Sequence, residues 1–176
     1  MQKFMIVIIV LSLIISPAIS EEVKYILHDK CINILYRPAV MYFIDTEIQV
    51  IRDPRGIILR FGLIDPEDNF YKLTNQIENR LKKIEYFLAK IKNPAIIEVH
   101  TAKNIYTNTD GLKSWEISAV IAGNIEKAIC KKGNVLNTRI HSVGYGEFLP
   151  ENNPPNNGGK LSNRVDIIIM CNISGE

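Results

Sequence analysis

Hydrophobic and polar positions change period several times along this chain, and each change marks an expected element. Residues 21 to 38 carry only weak signals, ending at Arg37-Pro38. From Val40 an apolar stretch leads into Ile48-Gln49-Val50-Ile51-Arg52, then Asp53-Pro54-Arg55-Gly56, then Ile57-Ile58-Leu59-Arg60-Phe61. Proline second and glycine fourth in a four-residue turn suit a type I β-turn, so this stretch reads as a hairpin. Phe70, Leu73, Ile77, Leu81, Ile84, Leu88 and Ile91 then recur every three or four residues, which places one apolar stripe on a long amphipathic helix. Asp65 as N-cap, Pro66 at the first helical position and Glu67-Asp68 in the positive first turn give its start. Pro94 disfavours helical geometry before it and stops the helix near Lys92-Asn93.

Ala95 to Thr101 is apolar and β-branched, the pattern of a buried strand. A second helix begins around Ser114 and carries Trp115, Ala119, Ala122, Ile125 and Ile129; Lys131-Lys132 at its negative end and Gly133 as C-cap close it. Arg139 to Val143 reads as a strand. Val165 to Cys171 reads as another, apolar enough to be buried on both faces. Between them Pro150 to Lys160, rich in Asn, Pro and Gly, is loop by composition. The order β-β-α-β-α-β-loop-β predicts an α/β (α+β sandwich) fold, with a mixed sheet of about four to five strands and two main helices on one face.

At 176 residues the chain has room for one domain plus attachments. Its formal charge of +2 comes from basic residues scattered among acidic ones, so there is no electrostatic footprint for nucleic acid. The first twenty residues stand apart. Lys3 precedes an apolar run from Phe4 to Ile15, and Ser16-Pro17-Ala18-Ile19-Ser20 offers small residues before Glu21-Glu22. This is the pattern of a secretory signal peptide cleaved after Ser20. The alternative is an uncleaved inner-membrane anchor, but a membrane span takes about 20 mostly apolar residues, and this run reaches that only by counting Ser16, Pro17 and Ser20. The division expected is therefore a signal peptide over 1–20, an N-terminal segment of unknown role over 21–44 and a domain over 45–176, in the periplasm or cell envelope.

Export would carry Cys31, Cys130 and Cys171 into an oxidising compartment, where a monomer leaves at least one unpaired. Spacing alone leaves open a disulfide or buried small hydrophobes. His28 and Cys31 are spaced like a metal pair, but no second pair follows, so neither a metal nor a cofactor is expected. No nucleophile elbow or phosphate loop occurs, and no second carboxylate is placed beside Glu147 by any motif, so the chain does not read as an enzyme.

Four stretches carry a specific signal: Glu98-Val99-His100-Thr101, Ser114-Trp115-Glu116-Ile117-Ser118-Ala119, Gly144-Tyr145-Gly146-Glu147 with Pro150 and Asn153, and Asn163-Arg164-Val165-Asp166-Ile167. Together they resemble the OmpA-like peptidoglycan-associating domain over residues about 45–172, most closely the version in flagellar-motor stator (MotB-type) proteins. The resemblance implies a bacterial envelope protein, peptidoglycan and envelope proteins as partners, and a site for the diaminopimelate of the stem peptide. Such a ligand presents amino and carboxylate groups, so the site needs an anion and a cation at fixed separation. Here Ala102 stands at the usual aspartate and Ile121 at the usual arginine. Asn163 stands at the first of two paired arginines and Arg164 at the second; Gly159, next to Lys160, falls on an earlier basic position. Losing two charged hydrogen bonds would weaken diaminopimelate binding by about 3–6 kcal/mol, roughly 10²–10⁴-fold.

The candidate ligand set is Thr101, Asn104, Asp110, Glu116, Asn124 and Arg164. Each motif also has a structural reading: Arg164 paired with Glu147 or Asp166, Trp115 in the core or a helix staple, His100 in a structural hydrogen bond, and Gly144 and Gly146 in backbone turns. The expected function is a non-enzymatic peptidoglycan-associating protein; the alternative is an envelope scaffold or secretion-machine subunit that uses the fold for protein contacts. An ion-conducting stator subunit is excluded, because the run from Phe4 to Ile15 holds no acid.

Overall fold

The computed structural model describes residues 17–63, 72–101, 111–148 and 163–171, with side chains from residue 21 onward. A 27-residue helix α1 (Pro17–Phe43) leads into the hairpin β1 (Gln49–Asp53) and β2 (Gly56–Gly62). Helix α2 (Asn75–Ala89), β3 (Ala95–His100), helix α3 (Ser114–Cys130), a 3-10 turn at Asn137–Arg139, β4 (Ile140–Gly146) and β5 (Arg164–Met170) follow. The five strands form one mixed sheet in the order β1-β2-β5-β3-β4. Only β3 and β4 run parallel, joined by the crossover through α3; β5 is antiparallel to both β2 and β3. The expected architecture is present.

Strand alternation assigns the two faces of the sheet. Ile57, Leu59, Phe61, Ala95, Ile97, Val99, Val165, Ile167 and Ile169 join one core cluster with Ile77, Leu81, Ile84 and Leu88 of α2 and Ile117, Ile121, Ala122, Ile125 and Ile129 of α3. The other face carries Ile58 and Ile168 beside Arg60, Glu98, His100, Arg164 and Asp166. As the centre strand, β5 is buried at every position but Met170.

Two sequence expectations need correction. Helix α2 begins at Asn75: Lys72 to Thr74 are not helical, and Thr74 is the N-cap, its side chain accepting from the Ile77 amide. The apolar stripe therefore counts Leu73 although it precedes the helix. The proposed cap Asp65-Pro66, and Phe70, lie outside the described residues.

The second correction concerns residues 21–44. They form most of α1, and Ile32, Leu35, Ala39 and Phe43 enter the same core cluster as the sheet, so the core extends upstream of residue 45. Cys31 is disulfide-bonded to Cys171, which fastens α1 to the end of β5. His28 Nε2 donates to the Pro54 carbonyl at 2.7 Å, Arg52 donates to Asn33 at 2.8 Å, and the Arg52 guanidinium lies 4.3 Å from the centre of the Tyr36 ring. His28 and Cys31 thus anchor a helix. No helix among the described residues is long and apolar enough to cross a membrane.

A candidate binding corner at the ends of β3, β4 and α3

The C-terminal ends of the parallel strands β3 and β4 meet the N-terminus of α3. In open α/β sheets this end of the strands is where ligands gather. Glycine lets the elements approach. A Cβ on Gly144 would stand 2.1 Å from the Ala119 backbone nitrogen, and one on Gly146 would stand 2.6 Å from that of Trp115. Real Cβ atoms essentially never come so close, so α3 can lie on β4 only because both positions lack a side chain. Gly146 also has φ +55°, a left-handed conformation that glycine adopts without steric cost. Gly144 lies inside β4 and serves close packing, which corrects the expectation that both glycines make turns.

Hydrogen bonds then lock the corner. Ser118, fully buried, accepts from the Gly146 amide at 2.8 Å and donates to the Trp115 carbonyl at 2.9 Å. Thr101 donates its amide to the Gly146 carbonyl and its hydroxyl to the Ser114 carbonyl, both at 3.1 Å. Gly146 is therefore held through both its amide and its carbonyl, by α3 on one side and by the end of β3 on the other. Ser118 was absent from the expected ligand set. Its signal was a serine one turn after Ser114 on an otherwise apolar helix face, opposite the Gly-Tyr-Gly stretch.

The remaining expected ligand residues divide. Glu116 lies at this corner, where its Oε2 accepts from the Lys113 amide at 2.8 Å and caps the first turn of α3. Asn124, partly exposed, sits eight residues further along α3, about 12 Å by helical rise. Arg164 is at the same end of the sheet, paired with His100 and Gly62 in the strand register, but on the face away from the helices. It is buried, and its Nε donates to Asp166 at 3.1 Å. Of the two pairings weighed for it, the structure has the one to Asp166. Asn104 and Asp110, with Ala102, lie outside the described residues. Ile121 is 3% exposed and belongs to the core cluster, so at that register α3 presents packed hydrocarbon and no cation. Trp115 is 44% exposed, which overturns the core half of the expectation that it sits in the core or a helix staple.

Behind the corner runs a row of charges, buried at Glu98, Asp166 and Arg164 and open to solvent at Arg55, that the sequence did not announce. Arg60 binds Asp166 through two nitrogens, at 2.6 and 2.9 Å, and Arg55 binds Glu98 at 2.8 Å and Asp53 at 2.8 Å. The row follows from register, because Arg60, Asp166 and Glu98 are direct cross-strand neighbours on β2, β5 and β3. His100 stacks on Tyr145 at 5.2 Å, with Nε2 3.9 Å from Glu98 and 3.8 Å from Asp166. Burial raises the pKa of Glu98, and Arg55 opposes that shift. Asp53 is also penalised by burial, yet its hydrogen bonds to Arg55 bring its pKa below the ordinary value. Glu98, His100 and Asp166 bring three potential metal-ligand atoms within 4.8 Å of one another. Arg55, Arg60 and Arg164 already compensate both carboxylates, however, so a divalent cation would have to enter against three guanidinium groups. The donor set fits a structural charge network better than a metal centre.

No protein-family model matches the chain, and no curated protein matches it. Solved structures do. A MotB-like protein from Desulfovibrio vulgaris superposes with a TM-score of 0.70 at 19% identity, covering 82% of this chain and 98% of that one. The cell wall anchor of the type VI secretion system from Pseudomonas aeruginosa gives 0.61 at 14% identity, covering 76% and 96%. The periplasmic domain of Helicobacter pylori MotB gives 0.59 at 17% identity, covering 70% and 78%. The chain has the OmpA-like fold, a mixed five-strand sheet with helices packed against it.

Proposed function

We propose that this protein is an exported, non-enzymatic component of the bacterial cell envelope that associates with peptidoglycan through its OmpA-like fold. The observation that carries this reading is the interlocked corner of Thr101, Ser118 and Gly146. There the motif residues are held at the carboxyl ends of β3 and β4, in a fold like that of a cell wall anchor and of MotB periplasmic domains. Location outside the cytosol is supported by the Cys31–Cys171 disulfide, since such bonds persist in oxidising compartments, and by the signal-peptide pattern of residues 1–20. With Ala102 and Ile121 at the charge-pair positions, we expect diaminopimelate to contribute little and overall affinity to be reduced. Glu116 lies at the proposed contact surface, with Asn104, Asp110 and Asn124 as further candidates, and Thr101, buried, holds the surface from beneath. Arg164 supports the surface from behind through Asp166.

A second reading, an envelope scaffold that binds another protein, is favoured by α1. Its outward positions Val23, Ile26, Ile34 and Met41, with Ile44 just past its end, are exposed although the helix is clamped to the sheet. Co-sedimentation of the purified full chain with sacculi separates the readings. Saturable pelleting that soluble muropeptides reverse supports peptidoglycan association; a chain that stays in the supernatant at every sacculus concentration contradicts it and leaves the scaffold.

A further inference from the structure

We infer that the corner recognises the sugar backbone of peptidoglycan through exposed aromatic rings, in place of the stem-peptide charges. This rests on the peptidoglycan reading above. Trp115 is 44% exposed and Phe148 is 68% exposed, and both flank Gly146. Trp115 sits there because its backbone packs directly against that glycine. Phe148 follows it by two residues, in a turn closed by the hydrogen bond from its amide to the Tyr145 carbonyl at 3.1 Å. Two residues of chain span at most about 7 Å, so both aromatic residues are rooted at the same mouth. Their backbone footing is tied together: Ser118 grips the carbonyl of Trp115 and the amide of Gly146. Aromatic side chains, with only two rotatable bonds, present a large contact area at low entropic cost.

Charge selects the occupant. Glu116 already fills the positive end of α3, with Lys113 beside it, and Ile121 is buried in the core. Glu147, next to Phe148, is exposed and is the excess charge at the mouth among the described residues. That acid repels the carboxylates of a stem peptide, whereas N-acetylhexosamine units are neutral. A pyranose ring offers a face of polarised C–H bonds, which the electron-rich face of an indole or phenyl ring attracts, while its hydroxyl and acetamido groups bond to a polar rim. A neutral sugar chain thus suits a mouth made of aromatic rings and one acid.

Trp115 is the only tryptophan in the chain, so its fluorescence reports this mouth alone. The full chain is titrated with chitotetraose, a neutral oligomer of N-acetylglucosamine, and separately with free diaminopimelate. We expect a saturable change in emission with chitotetraose and none with diaminopimelate. Phe148→Ala should weaken the chitotetraose response about tenfold, and Trp115→Ala should lower sacculus retention by a similar factor with Trp115→Phe restoring much of it. Tyr86→Ala, an exposed ring on α2, serves as control and should change neither. If sacculi bind but chitotetraose leaves the emission unchanged, or diaminopimelate alone shifts it, sugar recognition at this corner is overturned while peptidoglycan association stands. If sacculi do not bind at all, both fall.

Discussion

Gly146 and Trp115 touch backbone to backbone: a methyl group on Gly146 would stand 2.6 Å from the Trp115 nitrogen. One turn further along α3, Gly144 meets Ala119 more closely still, at 2.1 Å. These two approaches set how α3 lies on β4, and hence where the N-terminus of α3 meets the ends of the parallel strands. Gly144→Ala should therefore force the helix off the strand and cost about 3 kcal/mol or more in urea unfolding, at or above the upper range for core overpacking. Gly62→Ala, whose added methyl meets nothing within 4 Å, should cost much less. Equal losses at the two positions would contradict close packing as the reason for Gly144.

Ser118 gives a subtler test of the same corner. Ser118→Ala leaves the buried Gly146 amide without its acceptor, a loss of about 1–3 kcal/mol. Because the two groups that Ser118 joins carry the mouth, sacculus retention should fall more than in a variant of equal stability mutated elsewhere in the core, such as Ile129→Val.

The disulfide predicts a different loss. Cys31 and Cys171 are 140 residues apart in sequence, so their bond closes a long loop of the unfolded chain. Replacing both by serine should lower stability by about 2–5 kcal/mol. Under non-reducing denaturing conditions an alkylating reagent should label one cysteine per chain, Cys130, and label all three after reduction. Burial, with a smaller contribution from Glu126, raises the Cys130 thiol pKa, so its labelling in the native protein should be slow at neutral pH and quicken in alkali.

The charge row fixes the signs of two pH effects. Glu98 has a folded pKa above its unfolded value, so the folded state holds that proton more tightly. Its contribution is present at low pH and is lost as pH rises through the window just above the ordinary carboxylate range. Asp53 has a lowered folded pKa, so it contributes above its unfolded pKa and that contribution is lost as pH falls through the folded value. Glu98→Gln should therefore make stability climb more steeply with rising pH than in the parent, and Asp53→Asn should flatten the climb. Unfolding midpoints measured from about pH 3 to pH 7 give both slopes; parallel curves for all three proteins would contradict the assignment.

Much of this fold is legible because its elements either bury a single face or are apolar throughout. The stripe from Ile77 to Leu88 and the continuous apolar run of β5 leave periodic or continuous marks in the sequence, whereas the cap of α3 falls at Lys131, two residues before the expected Gly133, which takes a left-handed φ of +72°. Helix α1 does not, for it is apolar on both sides: Ile32, Leu35 and Ala39 face the core while Ile26, Ile34 and Met41 face outward, and the period cancels. Pro38 inside it argues for a break that does not occur. The charge row is invisible for another reason. Arg60 and Asp166 are 106 residues apart, and only strand register makes them partners. The corner was partly legible. Short motifs located it, but the sequence could not tell that Glu116 caps a helix, that Arg164 turns to the far face, or that Ser118 joins the pieces.

The most direct test of the central claim is an amide-shift titration of the isotope-labelled chain with soluble muropeptides. The account predicts that perturbations concentrate at Thr101, Trp115, Ser118, Gly146 and Phe148, saturating together with one affinity. Perturbations absent throughout, or confined to the outward face of α1 around Ile26 and Ile34, would contradict it.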